Sequence, residues 1–208
     1  MLQNKKKEEN NQYDFNFYKI KYCLFLYISI WYTNGGENMD KKLIPTWHCK
    51  NVYSIDTSKL VNLNCKLIFC DIDNTLVGPY QPLPTKTTLD FVKKITQSNI
   101  KLVLISNNHE QRVKTFASAL NVDYLFEVKK PKTEKIDFYI KKNQLNKDEI
   151  IFIGDQIMTD ILCASRLNIK SILVDRLTKK DQPITFFPRR LDIIIRYILK
   201  KKNLLVEF

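Results

Sequence analysis

The sequence predicts an α/β domain: a parallel sheet with helices on both faces. Three observations carry that expectation. Short runs that are apolar at nearly every position recur along the chain, longer amphipathic stretches separate them, and four of the runs end abruptly in residues able to do chemistry. Strands covered on both sides need no polar alternation, and strand–helix repetition of this kind builds parallel sheets.

The first run, KLIFC (66–70), ends in Asp71, Ile72 and Asp73. A segment with Pro79, Pro82 and Pro84 predicts a stiff flap before a helix over 85–98. IKLVLIS (100–106) is the second run, closing on Ser106 and Asn107, with a helix over 109–120 behind it. DYLFEV (123–128) leads into Lys129 and Lys130, then a helix over 133–145. IIFIG (150–154) meets Asp155, a helix over 157–167 carries Asp160, and KSILV (170–174) is the last run. The carboxyl ends of parallel strands border the crevice where ligands bind, so Asp71, Ser106, Lys130 and Asp155 are expected to converge. Spacing of i, i+2 on extended backbone sends Asp71 and Asp73 to one side. Gly78 and Gly154 stand beside these positions, where a turn or a close backbone approach needs them.

With 208 residues, 44% of them hydrophobic, the chain can bury one core of ordinary size. Its formal charge of +12 points to a phosphate-rich partner, although a Lys-, Asn- and Ile-rich composition with four glycines also follows from AT-rich coding. A basic nucleic-acid-binding protein would account for the charge but not for the converging carboxylates, so no nucleic acid is expected. Cys23, Cys49, Cys65, Cys70 and Cys163 are odd in number and contain no C-x-x-C pair. They read as reduced core thiols in a cytoplasmic protein, and His48 and His109 lack zinc-site spacing to them. His109 reads as a first-turn surface residue.

Residues 1–38 differ in character. Their apolar part, Tyr22 to Tyr32, is far short of the ~20 residues a spanning helix needs, and a short anchor or uncleaved signal is the alternative to a leader that is non-native or disordered. Gly35, Gly36, Glu37 and Asn38 before Met39 can be encoded as a purine-rich ribosome-binding sequence, so the expected domain is 39–208. Five lysines and four acidic residues lie in 1–38, which leaves +11 on the remainder. At the other end, FPRRLDIIIRYILKKK (187–202) places Leu191, Ile194, Ile195, Ile198 and Leu199 at helical spacing. That stripe is expected to pack on the domain's own sheet rather than lie on an anionic bilayer. Arg189, Arg190, Arg196, Lys200, Lys201 and Lys202 form the polar side, turned to phosphate-bearing partners.

DIDNTLV (71–77), ISNN (105–108), KKP (129–131) and GDQIMTD (154–160), in this order, resemble the four motifs of the haloacid dehalogenase (HAD) superfamily of phosphatases and phosphotransferases. The resemblance implies a Rossmann-like fold and an aspartyl-phosphate intermediate. Asp71 would be the nucleophile and Asp73 the general acid and base, while Ser106, Asn107 and Lys130 would hold the substrate's phosphoryl group. Mg²⁺ would sit on Asp71, the backbone carbonyl of Asp73, Asp155 and Asp160. Chemistry agrees with this, since a carboxylate attacks an anionic ester only where cationic groups offset both charges.

The spacing from Asp73 to Ser106 and from Ser106 to Lys130 leaves no room for a cap domain. Over 40–202, with LIPTWHCKNVYSID (43–56) ahead of the first motif, the chain is similar to the class IIIA, YqeG-like group, which includes mitochondrial phosphatidylglycerophosphatases. It departs from that group at Cys163, Ala164 and Ser165, where a Gly-Gly-Asn run is usual. The implied substrate is phosphatidylglycerophosphate, met in peripheral contact with the inner face of a membrane. The alternative is a soluble phosphomonoester such as a nucleotide, a sugar phosphate or a phosphoprotein. Oligomeric state is not indicated.

Overall fold

Alternate residues of the central strands feed two separate apolar cores in the computed structural model, which describes residues 41–178 and 186–208. Six strands, β1 (Trp47–Cys49), β2 (Leu67–Cys70), β3 (Lys101–Ile105), β4 (Asp123–Leu125), β5 (Ile150–Gly154) and β6 (Lys170–Val174), form one sheet in the order β1-β6-β5-β2-β3-β4, and every pairing is parallel. On one face Ile68, Cys70, Leu104 and Ile153 pack against α1 (Thr57–Asn62), α2 (Lys86–Gln97) and α3 (Glu110–Leu120) through Leu60, Ile95 and Phe116. On the other, Phe69, Val103 and Phe152 meet Ile136 and Ile140 of α4 (Glu134–Lys142) and Ala164 of α5 (Leu162–Arg166). Because each strand residue is covered whichever way it points, both registers of the pleat are apolar. The last helix, α6 (Phe186–Lys201), buries Leu191, Ile195 and Leu199, so its apolar stripe packs inward as expected.

The expected elements are present with four differences, one being the short helix α1, which precedes the first expected run. Strand β1 was not legible in the sequence; it pairs with β6 over Trp47 to Cys49. The third run ends as a strand at Leu125, because Glu127 (φ 45°) and Lys129 (φ 60°) are left-handed and turn the chain out of the extended region. The helix after β5 begins as a π-helical turn, Ile157–Ile161, before becoming α5. Between Asp73 and Ser106 lie a turn, the Pro-containing flap and α2; between Ser106 and Lys130 lie α3 and β4, so no cap domain interrupts either interval. The leader expected over 1–38, its boundary at Met39, and Cys23 lie outside the described residues. Cys49, Cys65, Cys70 and Cys163 are buried free thiols, and burial pushes Cys65 up to about 11 and Cys163 up to about 12.

Candidate active site

The chain runs outward from β2 through β3 to β4 and then crosses back to β5 on the other side of β2. That reversal opens a crevice at the carboxyl ends of β2 and β5. Asp71 follows β2 and Asp155 follows β5, and the Asp71 amide donates to the Ile153 carbonyl across the gap (2.9 Å). Asp160 joins them from the π-helical turn, a local feature that often marks functional positions. One carboxylate oxygen from each of Asp71, Asp155 and Asp160 lies within 4.8 Å of the others, and all three residues are buried.

Two cations face this cluster. Lys130 Nζ donates to Asp71 Oδ1 at 2.6 Å and to the Ile105 carbonyl at 3.2 Å, and ion-pairs with Asp160 Oδ1 at 2.7 Å. Arg189 Nη1 donates to Asp155 Oδ2 at 2.6 Å. Three carboxylates against two cations leave an excess of negative charge away from water. Burial pushes Asp71 up to about 7 despite the opposing pull of Lys130, and burial likewise holds Asp155 well above the usual carboxylate range against Arg189. Lys130, between two carboxylates, is held above its ordinary value although desolvation opposes this. Asp155 Oδ1 is buried without a hydrogen-bond partner. An unpaired buried carboxylate oxygen beside two more hard oxygen donors fits a small divalent cation such as Mg²⁺.

The neighbouring side chains fix this geometry. Thr75 Oγ1 donates to Asp71 Oδ2 (3.0 Å), and the Gln156 amide donates to Asp160 Oδ2 (3.0 Å). Asp73 stands outside the three-carboxylate cluster: Arg112 Nη2 donates to its Oδ1 (3.0 Å) and Asn108 Nδ2 to its Oδ2 (2.8 Å). Arg112 also donates through Nη1 to the Pro82 carbonyl (3.1 Å), which ties the flap to the same corner. Ser106 is buried at the end of β3, and its hydroxyl oxygen accepts from the Asn108 amide (3.1 Å). Asn107 spends its carboxamide on Lys130, accepting from the Lys130 amide (2.7 Å) and donating to the Lys130 carbonyl (3.2 Å). Lys130 is thereby delivered into the crevice while Lys129 is left exposed. His109 is exposed at the N-cap of α3 and makes no capping bond with its side chain.

Sequence reasoning brought Asp71, Asp73, Ser106, Asn107, Lys130, Asp155 and Asp160 to one end of the sheet, and the structure places all seven there. It did not foresee the part played by α6. Arg189 was expected on a solvent-facing basic side; it is buried against Asp155, because an isolated buried carboxylate demands a partner more strongly than an arginine demands water. Arg196 likewise turns inward, donating through Nη2 to the Asp155 carbonyl (2.6 Å) and the Val174 carbonyl (2.9 Å). Asp192, buried between them, accepts from the Ile157 and Met158 amides (3.0 Å each) and so caps the π-helical turn from another element. A single acidic residue in a basic helix was the signal available for that role.

Comparison with known proteins agrees with this geometry. Residues 80–174 match the family model described as "Haloacid dehalogenase-like hydrolase". The protein of Bacillus subtilis (strain 168) named "Probable phosphatase YqeG" is 32% identical over 165 residues, which are 79% of this chain and 96% of that relative. Looser structural likenesses, which carry no weight for function, include the Legionella pneumophila protein described as a "putative HAD superfamily (subfamily III A) hydrolase" (16% identity, TM-score 0.38, 71% of this chain and 94% of that one). Another is the 3-deoxy-D-manno-octulosonate 8-phosphate phosphatase of Moraxella catarrhalis (16% identity, TM-score 0.40, 70% and 92%). The chain therefore belongs to the haloacid dehalogenase-like hydrolases, in their YqeG-like group, as a phosphatase of that family.

Proposed function

We propose that the chain is a Mg²⁺-dependent phosphatase that works through an aspartyl-phosphate on Asp71 and removes the terminal phosphate of phosphatidylglycerophosphate at an anionic membrane surface. The observation that carries the chemistry is the meeting of Asp71 with Lys130, Asp155 and Asp160 at the ends of adjacent strands. Support for the lipid comes from the uncapped crevice, from the +12 charge and from the resemblance to the YqeG-like group.

In this reading Asp71 attacks phosphorus, the ester P–O bond breaks, and Asp73 gives a proton to the departing alcohol oxygen. Asp73 then takes a proton from water, whose oxygen attacks the same phosphorus and frees Asp71 and inorganic phosphate. The Ser106 hydroxyl and the Lys130 ammonium hold the phosphoryl oxygens, and Asn107 fixes the main chain that presents Lys130. Mg²⁺ held by Asp71, Asp155, Asp160 and the Asp73 main-chain carbonyl would supply positive charge against the phosphoryl oxygens. Arg112 and Asn108 keep Asp73 at the mouth, where a leaving group would lie.

Phosphate release should be measured from phosphatidylglycerophosphate in anionic vesicles and from a panel of nucleotides and sugar phosphates, with and without EDTA. The expected result is metal-dependent turnover of the lipid, vesicle binding that weakens as salt rises, and a loss of about 10³-fold or more in Asp71→Asn with the fold intact. Much faster hydrolysis of soluble esters under matched conditions would replace the lipid by a soluble substrate. Full activity of Asp71→Asn would remove the mechanism.

A further inference from the structure

A residue that gives a proton in one half of a reaction and takes one in the other needs a hold that survives both protonation states. Two side chains hold Asp73: Arg112 Nη2 donates to Oδ1 (3.0 Å) and Asn108 Nδ2 to Oδ2 (2.8 Å). They are not equivalent. A guanidinium has donors and no acceptor, so it suits the oxygen that bears no proton, whereas a carboxamide turned about its last bond offers either a donor or an acceptor. Oδ1 therefore stays with Arg112 throughout, and Oδ2 is left to carry the proton. Asn108 donates to Oδ2 when it is bare and, with its carboxamide reversed, accepts from it when it is protonated. The proton passes from Oδ2 to the departing alcohol oxygen as the ester P–O bond breaks, and returns to Oδ2 from the attacking water.

Arg112 is itself pinned. Its side chain is only 13% exposed, and its guanidinium carbon lies 5.4 Å from the ring centroid of Phe116, one turn along α3 and fully buried in the core. Its other terminal nitrogen, Nη1, donates to the Pro82 carbonyl (3.1 Å). Pro79, Pro82 and Pro84 have no amide to donate, so an acceptor bond at Pro82 counts for more in holding the flap. The planar fork sets these two bonds at a fixed angle, which an ammonium on a flexible stem does not reproduce. We propose that Arg112 is a positioning residue: one guanidinium fixes Asp73 Oδ1 and latches the flap at Pro82, so that proton delivery through Oδ2 and flap placement are set together. The role rests on the phosphatase reading above and adds to it the group that makes Asp73 an effective acid toward a poor leaving group.

Turnover of two esters of similar shape tests the proton half. Phenolate leaves phenyl phosphate readily only with a proton, and 2,4-dinitrophenolate leaves its phosphate without one. Wild type, Arg112→Gln and Arg112→Lys are compared by kcat/KM, which reports the step that breaks the ester bond, and circular dichroism checks that each is folded. Arg112→Gln is expected to lose at least about tenfold on phenyl phosphate and less than about threefold on 2,4-dinitrophenyl phosphate, with Arg112→Lys intermediate on the first. Equal losses on the two esters, no loss on either, or full recovery in Arg112→Lys overturns the positioning role and leaves the phosphatase. Turnover of neither ester by wild type overturns both. The flap is read without catalysis. Hydrogen exchange at the Gln81 amide, which donates to the Gly78 carbonyl (3.0 Å), should be about tenfold faster in Arg112→Gln, while peptides from β2 and β5 exchange as in wild type. Unchanged exchange over 78–84, or acceleration spread evenly over the chain, overturns the latch.

Discussion

At the residue scale, Gly154 shows how little freedom the crevice has. A Cβ at this position would lie 2.4 Å from Asp160 Cβ and Cγ and 2.5 Å from Oδ2, distances that real methyl groups do not occupy. Asp160 sits in a π-helical turn whose start is fixed by Asp192, so it cannot simply step aside. Gly154→Ala is expected to lower kcat/KM by about 100-fold or more, by the sensitivity of catalysis to misplacement of about 1 Å. Steady-state kinetics beside a thermal melt check this; unchanged kinetics would mean that the backbone yields. The sequence reveals a glycine next to a motif, but only the structure reveals that the atom it must avoid is Asp160.

At the element scale, α6 does more than cover the sheet. Deleting the Asp192 carboxylate leaves the buried Ile157 amide and the half-buried Met158 amide without their acceptor, at about 1–3 kcal/mol for the buried one and less for the other. Asp192→Ala should therefore lower the unfolding free energy obtained from urea titration by that order, and activity should fall with it because Asp160 rides on the same turn. Burial pushes Asp192 up to about 6, against the opposing pull of the two amides and of the Arg196 and Arg189 guanidinium groups. A second junction joins β1, the end of β6 and the C-terminal tail at His48. Its Nε2 lies 3.0 Å from Asp175 and its Nδ1 3.2 Å from Glu207, and the bond to Asp175 is the main cause that raises its pKa above 6.5, against the opposing effect of burial. A raised histidine pKa contributes stability that is complete below the unfolded value and is lost as pH rises through the folded one. The gap in urea midpoint between wild type and His48→Gln should be wide at pH 5.5 and narrow by pH 8.5; a gap that widens with pH would contradict the assignment. Helices α2, α3 and α4 and strands β2, β3, β5 and β6 were legible because their pattern is local. Strand β1 was not, since Trp47, His48 and Cys49 gain extended geometry only from partners more than a hundred residues away. The inward turn of Arg189 and Arg196 was hidden for the opposite reason: helical periodicity assigns charge to water, and only the buried Asp155 reverses that.

At the scale of the whole molecule, the sheet has two edges and treats them differently. Strand β4 is three residues long, with the exposed Lys101–Asp123 ion pair (2.6 Å) beside it, and so offers little to an approaching strand. On the β1 side, His48 donates its amide to the Val206 carbonyl (2.7 Å) and its carbonyl accepts from Phe208 (2.9 Å). The Phe208 ring packs edge-on against Trp47, with Lys59 Nζ 4.6 Å from its centroid. A chain cut after Asn203 should keep its carboxylate cluster yet show a mass that rises with concentration in light scattering, while the full chain holds a constant mass over the same range. A rising mass would mean that residues 204–208 act as a built-in competitor for the pairing groups of β1, which their main chain occupies at His48; a constant mass in the cut chain would mean that the edge needs no such guard.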